Sequence, residues 1–121
     1  MVIAQINVAV VGCGVISDIY LQSLQDKFAV TNVVACSDLN PDKMQAKADK
    51  YHIKAMSYAD ILADPTIQLI VNLTTPKAHY SIIKQALEHG KHVFSEKMIA
   101  VELADGQELC ELARSKNLRL G

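Results

Sequence analysis

The sequence has no surplus of either charge. Its formal net charge is −1 over 121 residues, and no run of like charges occurs. A nucleic-acid binder ordinarily carries a basic patch or stripe, so polyanion binding is disfavoured. Cysteine is scarce: Cys13, Cys36 and Cys110 are odd in number and form no C-x-x-C pair, which fits a reduced setting. Cys36 lies in an apolar run and Cys110 in a helical pattern, where a free cysteine acts as a small hydrophobe. No apolar stretch approaches the ~20 residues that span a bilayer. Met1 to Val11 is apolar but lacks the positive segment and small-residue cleavage site of a signal peptide, so the expected location is cytoplasmic. His52, His89 and His92 have no metal-ligand spacing with cysteine or carboxylate and read as surface or structural residues. There is no Ser/His/Asp constellation, nucleophile elbow, internal repeat, linker or low-complexity segment.

What is present is an ordinary core-forming composition, 50% hydrophobic and 21% charged, at a length that suits one domain. Short apolar runs alternate with longer helical periods. Ile6–Val11 is a candidate buried strand, and Ile16, Tyr20, Leu24 and Phe28 then recur at helical spacing. Val30–Ser37 is a second strand, after which Asn40-Pro41 supplies a cap and a first-turn proline for a helix striped by Met44, Ala48 and Tyr51. Ile53–Met56 is a short third strand. Ser57 with Asp60 caps a brief helix carrying Ile61 and Leu62, which Asp64-Pro65 breaks. Ile67–Leu73 is the next strand, and Thr75-Pro76 opens a helix that turns Ala78, Ile82, Ala86 and Leu87 inward and stops at Gly90. His92–Ser95 is a fifth strand. Leu103, Leu109, Cys110 and Ala113 stripe the last helix despite Gly106, and Leu118–Leu120 begins a sixth strand. Strands alternating with helices give β-α-β units, hence an α/β fold with a doubly wound, mostly parallel sheet and helices on both faces.

Four elements carry chemistry. The first is Gly12-Cys13-Gly14-Val15-Ile16-Ser17, between the first strand and the first helix. A dinucleotide pyrophosphate needs a tight turn, a backbone it can approach without meeting a Cβ, and a helix N-terminus that presents N–H groups. Gly12 suits the turn and Gly14 the approach, while Ser17 replaces the third glycine of the usual fingerprint. The second is Asp38, ending the second strand, where a carboxylate accepts hydrogen bonds from both adenine-ribose hydroxyls and repels a 2′-phosphate. Leu39 and Asn40 provide no arginine for that phosphate, which favours NAD over NADP, although Lys43 blurs the preference. The third, Asn72-Leu73-Thr74-Thr75-Pro76-Lys77-Ala78-His79, leaves the carboxyl end of the fourth strand, where ligands of such sheets lie. Read alone, Thr75-Pro76 serves equally as a plain helix start and His79 as a first-turn polar residue. The fourth is Ser95-Glu96-Lys97-Met98 after the fifth strand. A lysine there is able to hydrogen-bond a substrate oxygen and exchange a proton, yet Glu96-Lys97 is equally readable as a solvated pair.

In this order the four elements resemble the glucose–fructose oxidoreductase / inositol dehydrogenase (Gfo/Idh/MocA) family. The likeness rests on the Gly12-Cys13-Gly14 turn, Ser37-Asp38, Thr74-Thr75-Pro76 with His79, and Gly90-Lys91-His92-Val93-Phe94-Ser95-Glu96-Lys97, and it covers essentially the whole chain. It implies a Rossmann domain, residues 1–121, binding a nicotinamide dinucleotide for an oxidoreductase of sugars, cyclitols or related hydroxy compounds. It also implies that Thr74, Thr75, Pro76 and His79 help hold the cofactor and that Lys97, beside Glu96, assists catalysis next to the nicotinamide.

The sequence departs from the family pattern in two ways. Met98 stands where proline usually follows the lysine. A non-proline cis bond costs ~3 kcal/mol, so a trans bond is favoured and Lys97 is redirected. The family's second α/β domain, with the Asp and His that work beside the lysine, has no counterpart here. The expectation is therefore a truncated cofactor domain without turnover by itself, able to form homo-oligomers and taking a hydroxy-compound substrate only in a full-length form. The alternative is a non-catalytic nucleotide-sensing or regulatory protein on the same fold. A CoA or S-adenosylmethionine binder fits the glycines but explains Lys97 less well.

Overall fold

In β1 (Ile6–Val11) every side chain except Asn7 is apolar, and Val8 through Val11 are buried. Such a run suits the centre of a sheet covered on both faces. The computed structural model describes residues 6–14, 16–26, 30–95 and 103–121, and there β1 lies between β2 (Thr31–Ser37) and β4 (Leu69–Asn72). With β3 (Lys54–Ala55) and β5 (His92–Ser95) the order is β3-β2-β1-β4-β5, all neighbours parallel. Strand order reverses at β1, so a crevice opens between the carboxyl ends of β1 and β4. The β1–β2 register shifts between Val8 and Ala9, where Val8 pairs with Val33 but Ala9 with Ala35. Val34 is the extra residue. It packs on the same core as Ala35, while Val33 belongs to the core of the opposite face.

Helices α1 (Ser17–Asp26) and α2 (Pro41–Tyr51) cover one face, where Leu21 meets Val8, Val10, Val33 and Val71. The other face carries α3 (Tyr58–Ala63), α4 (Pro76–Glu88) and α5 (Leu103–Ser115), which bring Ile61, Ile83, Leu87 and Leu109 onto Ala9, Ile70 and Val93. The caps are largely those the sequence predicts. Asn40 accepts from the N–H groups of Asp42 and Lys43, Ser57 accepts from Asp60, and Gly90 takes φ +76° after α4. Thr75 takes the N-cap position of α4, but its hydroxyl makes no capping bond.

Several expectations need correction. Ile16 is exposed and precedes α1, whose buried positions are Ser17 and Leu21, with Tyr20 and Leu24 only partly buried. The apolar residues of this helix are so closely spaced that more than one stripe was readable. On α4 the fully buried residues are His79, Ile83, Ala86 and Leu87, while Ala78 and Ile82 lie at the margin. Leu103 and Cys110 are exposed on α5, so Cys110 is not a core hydrophobe. The strands β2, β3 and β4 are shorter than Val30–Ser37, Ile53–Met56 and Ile67–Leu73, because parallel pairing ends before the apolar runs do. Leu118–Leu120 contributes one parallel bridge, Leu120 to Val93, rather than a strand. Val15, Phe28, Glu96, Lys97 and Met98 lie outside the described residues. No helix among the described residues is long and apolar enough to cross a membrane.

Candidate functional site

The glycine turn grows directly out of β1. Gly12 donates to the Ser37 carbonyl at 2.8 Å, continuing the β1–β2 ladder by one step, and takes φ +104°. A Cβ there would stand 2.7 Å from the Leu73 carbonyl carbon and 3.0 Å from the Thr74 nitrogen. Only glycine fits, both for its dihedral and for the pressing backbone of the turn that follows β4. Gly14 is different in kind: a Cβ built on it meets nothing within 4 Å. The space at Gly14 is open, as a pyrophosphate cradle requires.

Cys13 presents only its backbone. Its side chain is buried with Cys36 and Ala48, and the adjoining Cys36 thiol together with burial pushes the Cys13 thiol up, keeping it neutral. Its N–H donates to Asp38 Oδ2 at 2.7 Å, and Asp38 Oδ1 accepts the Asn40 N–H at 2.8 Å. Asp38 therefore fastens the tip of β2 to the glycine turn, with further lone pairs on each oxygen available to a ligand hydroxyl. Ser17, in the place of the third glycine, is fully buried and donates its hydroxyl to the Gly14 carbonyl at 2.6 Å. The small side chain closes the turn onto α1 without widening it.

The first turn of α1 contains one acid, Asp18, whose charge would oppose an incoming phosphate. Lys47 at 2.7 Å and Lys50 at 3.2 Å pair with it, and the Tyr51 hydroxyl donates to it at 2.8 Å. Lys47 first, then Tyr51, holds the Asp18 carboxyl down at about 2. The helix end thus keeps its favourable polarity for an anion.

Across the crevice stands the β4 turn. Asn72 is completely buried, with its amide oxygen accepting the Thr74 hydroxyl at 2.6 Å and the Thr74 N–H at 3.2 Å. Its amide nitrogen donates to Ser95 Oγ on β5 at 3.3 Å. His79, 1% exposed, sets Nε2 2.6 Å from the Thr74 carbonyl, so it grips the turn from behind. Thr75 is exposed. The glycine turn, Asp38 and the Thr74 turn are brought together at one end of the sheet, whereas Glu96 and Lys97 follow β5 outside the described residues. An apolar cavity of about 350 Å³ bounded by Ile19, Tyr20, Leu24, Leu69, Val71 and Phe94 lies beside α1 and has no glycine-turn residue in its lining.

Two buried polar residues escaped sequence reasoning. The bracing amide of Asn72 is one. The other is Lys91, 3% exposed, whose ammonium donates to the Asp64 and Ile67 carbonyls at 2.8 Å each and whose pKa is lowered by burial. Its place in the Gly90–Lys97 segment, immediately before a strand, was the available signal.

A parallel sheet with a reversal beside a G-x-G turn, an acid at the tip of β2 and an open approach at Gly14 defines a dinucleotide-binding Rossmann domain. The family described as "Oxidoreductase family, NAD-binding Rossmann fold" (GFO_IDH_MocA) matches residues 6–121, and the chain belongs to it. It is the NAD(P)-binding domain of these oxidoreductases. Inositol 2-dehydrogenase of Salmonella paratyphi B is 30% identical over 118 residues, covering 95% of this chain and 35% of the relative. Biliverdin reductase from Synechocystis sp. PCC 6803, solved with biliverdin and NADP+, superimposes with a TM-score of 0.88 at 27% identity over 95% of this chain and 36% of that one. GenD2 from gentamicin A biosynthesis, solved with NAD, shares the fold at a TM-score of 0.93 and 20% identity, over all of this chain and 35% of that one. The chain spans about a third of the length of such relatives.

Proposed function

We propose that this domain binds NAD(H) in preference to NADP(H) and supplies the cofactor site for hydride transfer to or from a sugar, cyclitol or related hydroxy compound. The observation that carries the choice of nucleotide is Asp38, anchored by Cys13 and Asn40 at the tip of β2. A fixed carboxylate there accepts the adenine-ribose hydroxyls and opposes a 2′-phosphate. Gly12, Cys13, Gly14, Val15 and Ile16 receive the pyrophosphate, with the Cys13 side chain buried away and open space at Gly14. Thr74, Thr75 and Pro76 form the wall toward the nicotinamide, with His79 holding that wall in place. The bound nicotinamide supplies the hydride acceptor or donor. Lys97, next to Glu96, is assigned the proton exchange with the substrate oxygen. The substrate pocket is assigned to the part of the longer relatives that this chain does not match, and the setting to the cytoplasm, where the dinucleotide is abundant. Homo-oligomer formation belongs to the same proposal.

The test is titration of the purified chain with NADH and NADPH, followed by nucleotide fluorescence, for the wild type, Asp38→Asn and Asp38→Ala. Wild type should favour NADH, Asp38→Asn should lose most of that preference, and Asp38→Ala should also bind both nucleotides more weakly because the Cys13 anchor is lost. Equal wild-type affinities would overturn the nucleotide assignment. No binding by the folded chain would overturn the cofactor reading.

A further inference from the structure

Position 72 is the last residue of β4, fully buried and paired in register with Ser95 of β5. The preceding strand residues Ile70 and Val71 are apolar and buried, as a strand with helices on both faces prescribes. An amide at such a position loses its hydration and is tolerated only if its hydrogen bonds are made. Here they are made to the turn that leaves β4 and to the end of β5. The oxygen takes both the N–H and the hydroxyl of Thr74, and the nitrogen reaches Ser95. His79 meets the Thr74 carbonyl, so both backbone polar groups of Thr74 are tied to side chains. Thr74 and Leu73 in turn are the backbone against which Gly12 is pressed.

A continuous line of contacts therefore runs from the glycine turn through Leu73 and Thr74 to Asn72 and on to the end of β5. We propose that Asn72 is a positioning residue that sets the spacing between the glycine turn and the end of β5. In this role it determines how well the nicotinamide half of the dinucleotide is held relative to the ADP-ribose half. The proposal rests on the NAD(H) reading above. Asn72 itself touches no ligand in this scheme; it acts through Thr74 on one side and Ser95 on the other. The second connection is the informative one, because breaking it leaves the hold on Thr74, and hence the backing of Gly12, in place.

ADP-ribose lacks only the nicotinamide ring and serves as the internal reference. Calorimetric titration of the chain with NADH and with ADP-ribose gives a ratio of affinities that isolates the nicotinamide end. Wild type should bind NADH more tightly. Ser95→Ala should lower the ratio about threefold and Asn72→Ala about tenfold, the range expected for one and for several lost hydrogen bonds. Ser95→Thr, which restores the hydroxyl, should recover the ratio. Thermal melts establish that each variant is folded, and if Asn72→Ala is not, the serine pair decides. Equal losses for both ligands, no loss, or a wild type with equal affinities would overturn the positioning role while leaving the NAD(H) reading intact. A wild type that binds neither ligand would overturn both.

Discussion

The two glycines of the turn should fail in opposite ways when each is replaced by alanine. At Gly12 the added Cβ lands 2.7 Å from the Leu73 carbonyl carbon and 2.8 Å from its oxygen, and both are backbone atoms that cannot swing aside. Overpacking of this kind costs about 1–3 kcal/mol. The dihedral of +104° adds strain that an L side chain rarely tolerates, about 1–3 kcal/mol more. The sum, about 4 kcal/mol, is a large part of the 5–15 kcal/mol that ordinarily holds a domain together. At ~2.1 cal/mol/K per residue of unfolding entropy it lowers Tm by about 15 °C. At Gly14 nothing lies within 4 Å and no positive φ must be kept, so Gly14→Ala should shift Tm by no more than about 2 °C. The methyl group instead occupies the path to the turn backbone, and NADH affinity should drop about tenfold or more. Differential scanning calorimetry and NADH titration of the two variants are the assays. A stable Gly12→Ala protein, or a Gly14→Ala protein that binds as well as wild type, would refute the separate roles assigned to them.

Three further outcomes follow from the same structure. Opposing a 2′-phosphate at about 4 Å, with an effective dielectric between that of water and of a protein surface, Asp38 should contribute about 1–4 kcal/mol against NADPH. Asp38→Asn should therefore narrow the NADH:NADPH affinity ratio at least about fivefold, and the remaining preference should vary less with salt. Asp18, lowered from 3.8 to about 2 mainly by Lys47, stabilises the fold fully above pH 4 and loses that contribution as pH falls through 2. With its side chain about a third exposed, screening leaves about 1 kcal/mol, so acid melts should show a decline of about 4 °C over this range that is missing in Asp18→Asn. Lys91→Met should cost about 2–4 kcal/mol by stranding the carbonyls of Asp64 and Ile67, read as a lower midpoint in urea with an unchanged slope.

Much of the architecture was legible because local and global signals agree. β1 and β5 were readable to the residue, as were the Asn40 and Ser57 caps, since each is written in a contiguous run or a single side chain beside its own backbone. The glycine turn and Asp38 were legible for the same reason: their chemistry is set by strand ends, and strand ends follow from apolar runs. What could not be read depends on contacts far apart in the chain. The sequence around α1 offers apolar residues at 19, 20, 21 and 24, and only docking against Val8 and Val71 selects Leu21 over Ile16. The burial of Lys91 depends on two carbonyls 24 and 27 residues away. Asn72 belonged to a recognised segment, but its bond to Ser95 exists only once β4 and β5 are paired. Likewise His79 was placed in the cofactor segment by the family resemblance, and its hold on the Thr74 carbonyl from the buried side emerges only in three dimensions.

The extra residue at Val34 bears on how this site tolerates insertion and deletion. By absorbing one residue in mid-strand, β2 reverses the alternation of its side chains before reaching Cys36, Ser37 and Asp38. Removing Val34 alone would restore a regular ladder with Ala35 still opposite Ala9 and the acid still beside the Cys13 amide, whereas removing a residue between Ala35 and Asp38 would turn the carboxylate away. The interval from the glycines to the acid is thus not a fixed count along the chain. It is the register after the bulge that counts: the α1–β2 connection and the bulge can each change length, while the pairing from Ala35 to Ser37 that carries Asp38 cannot.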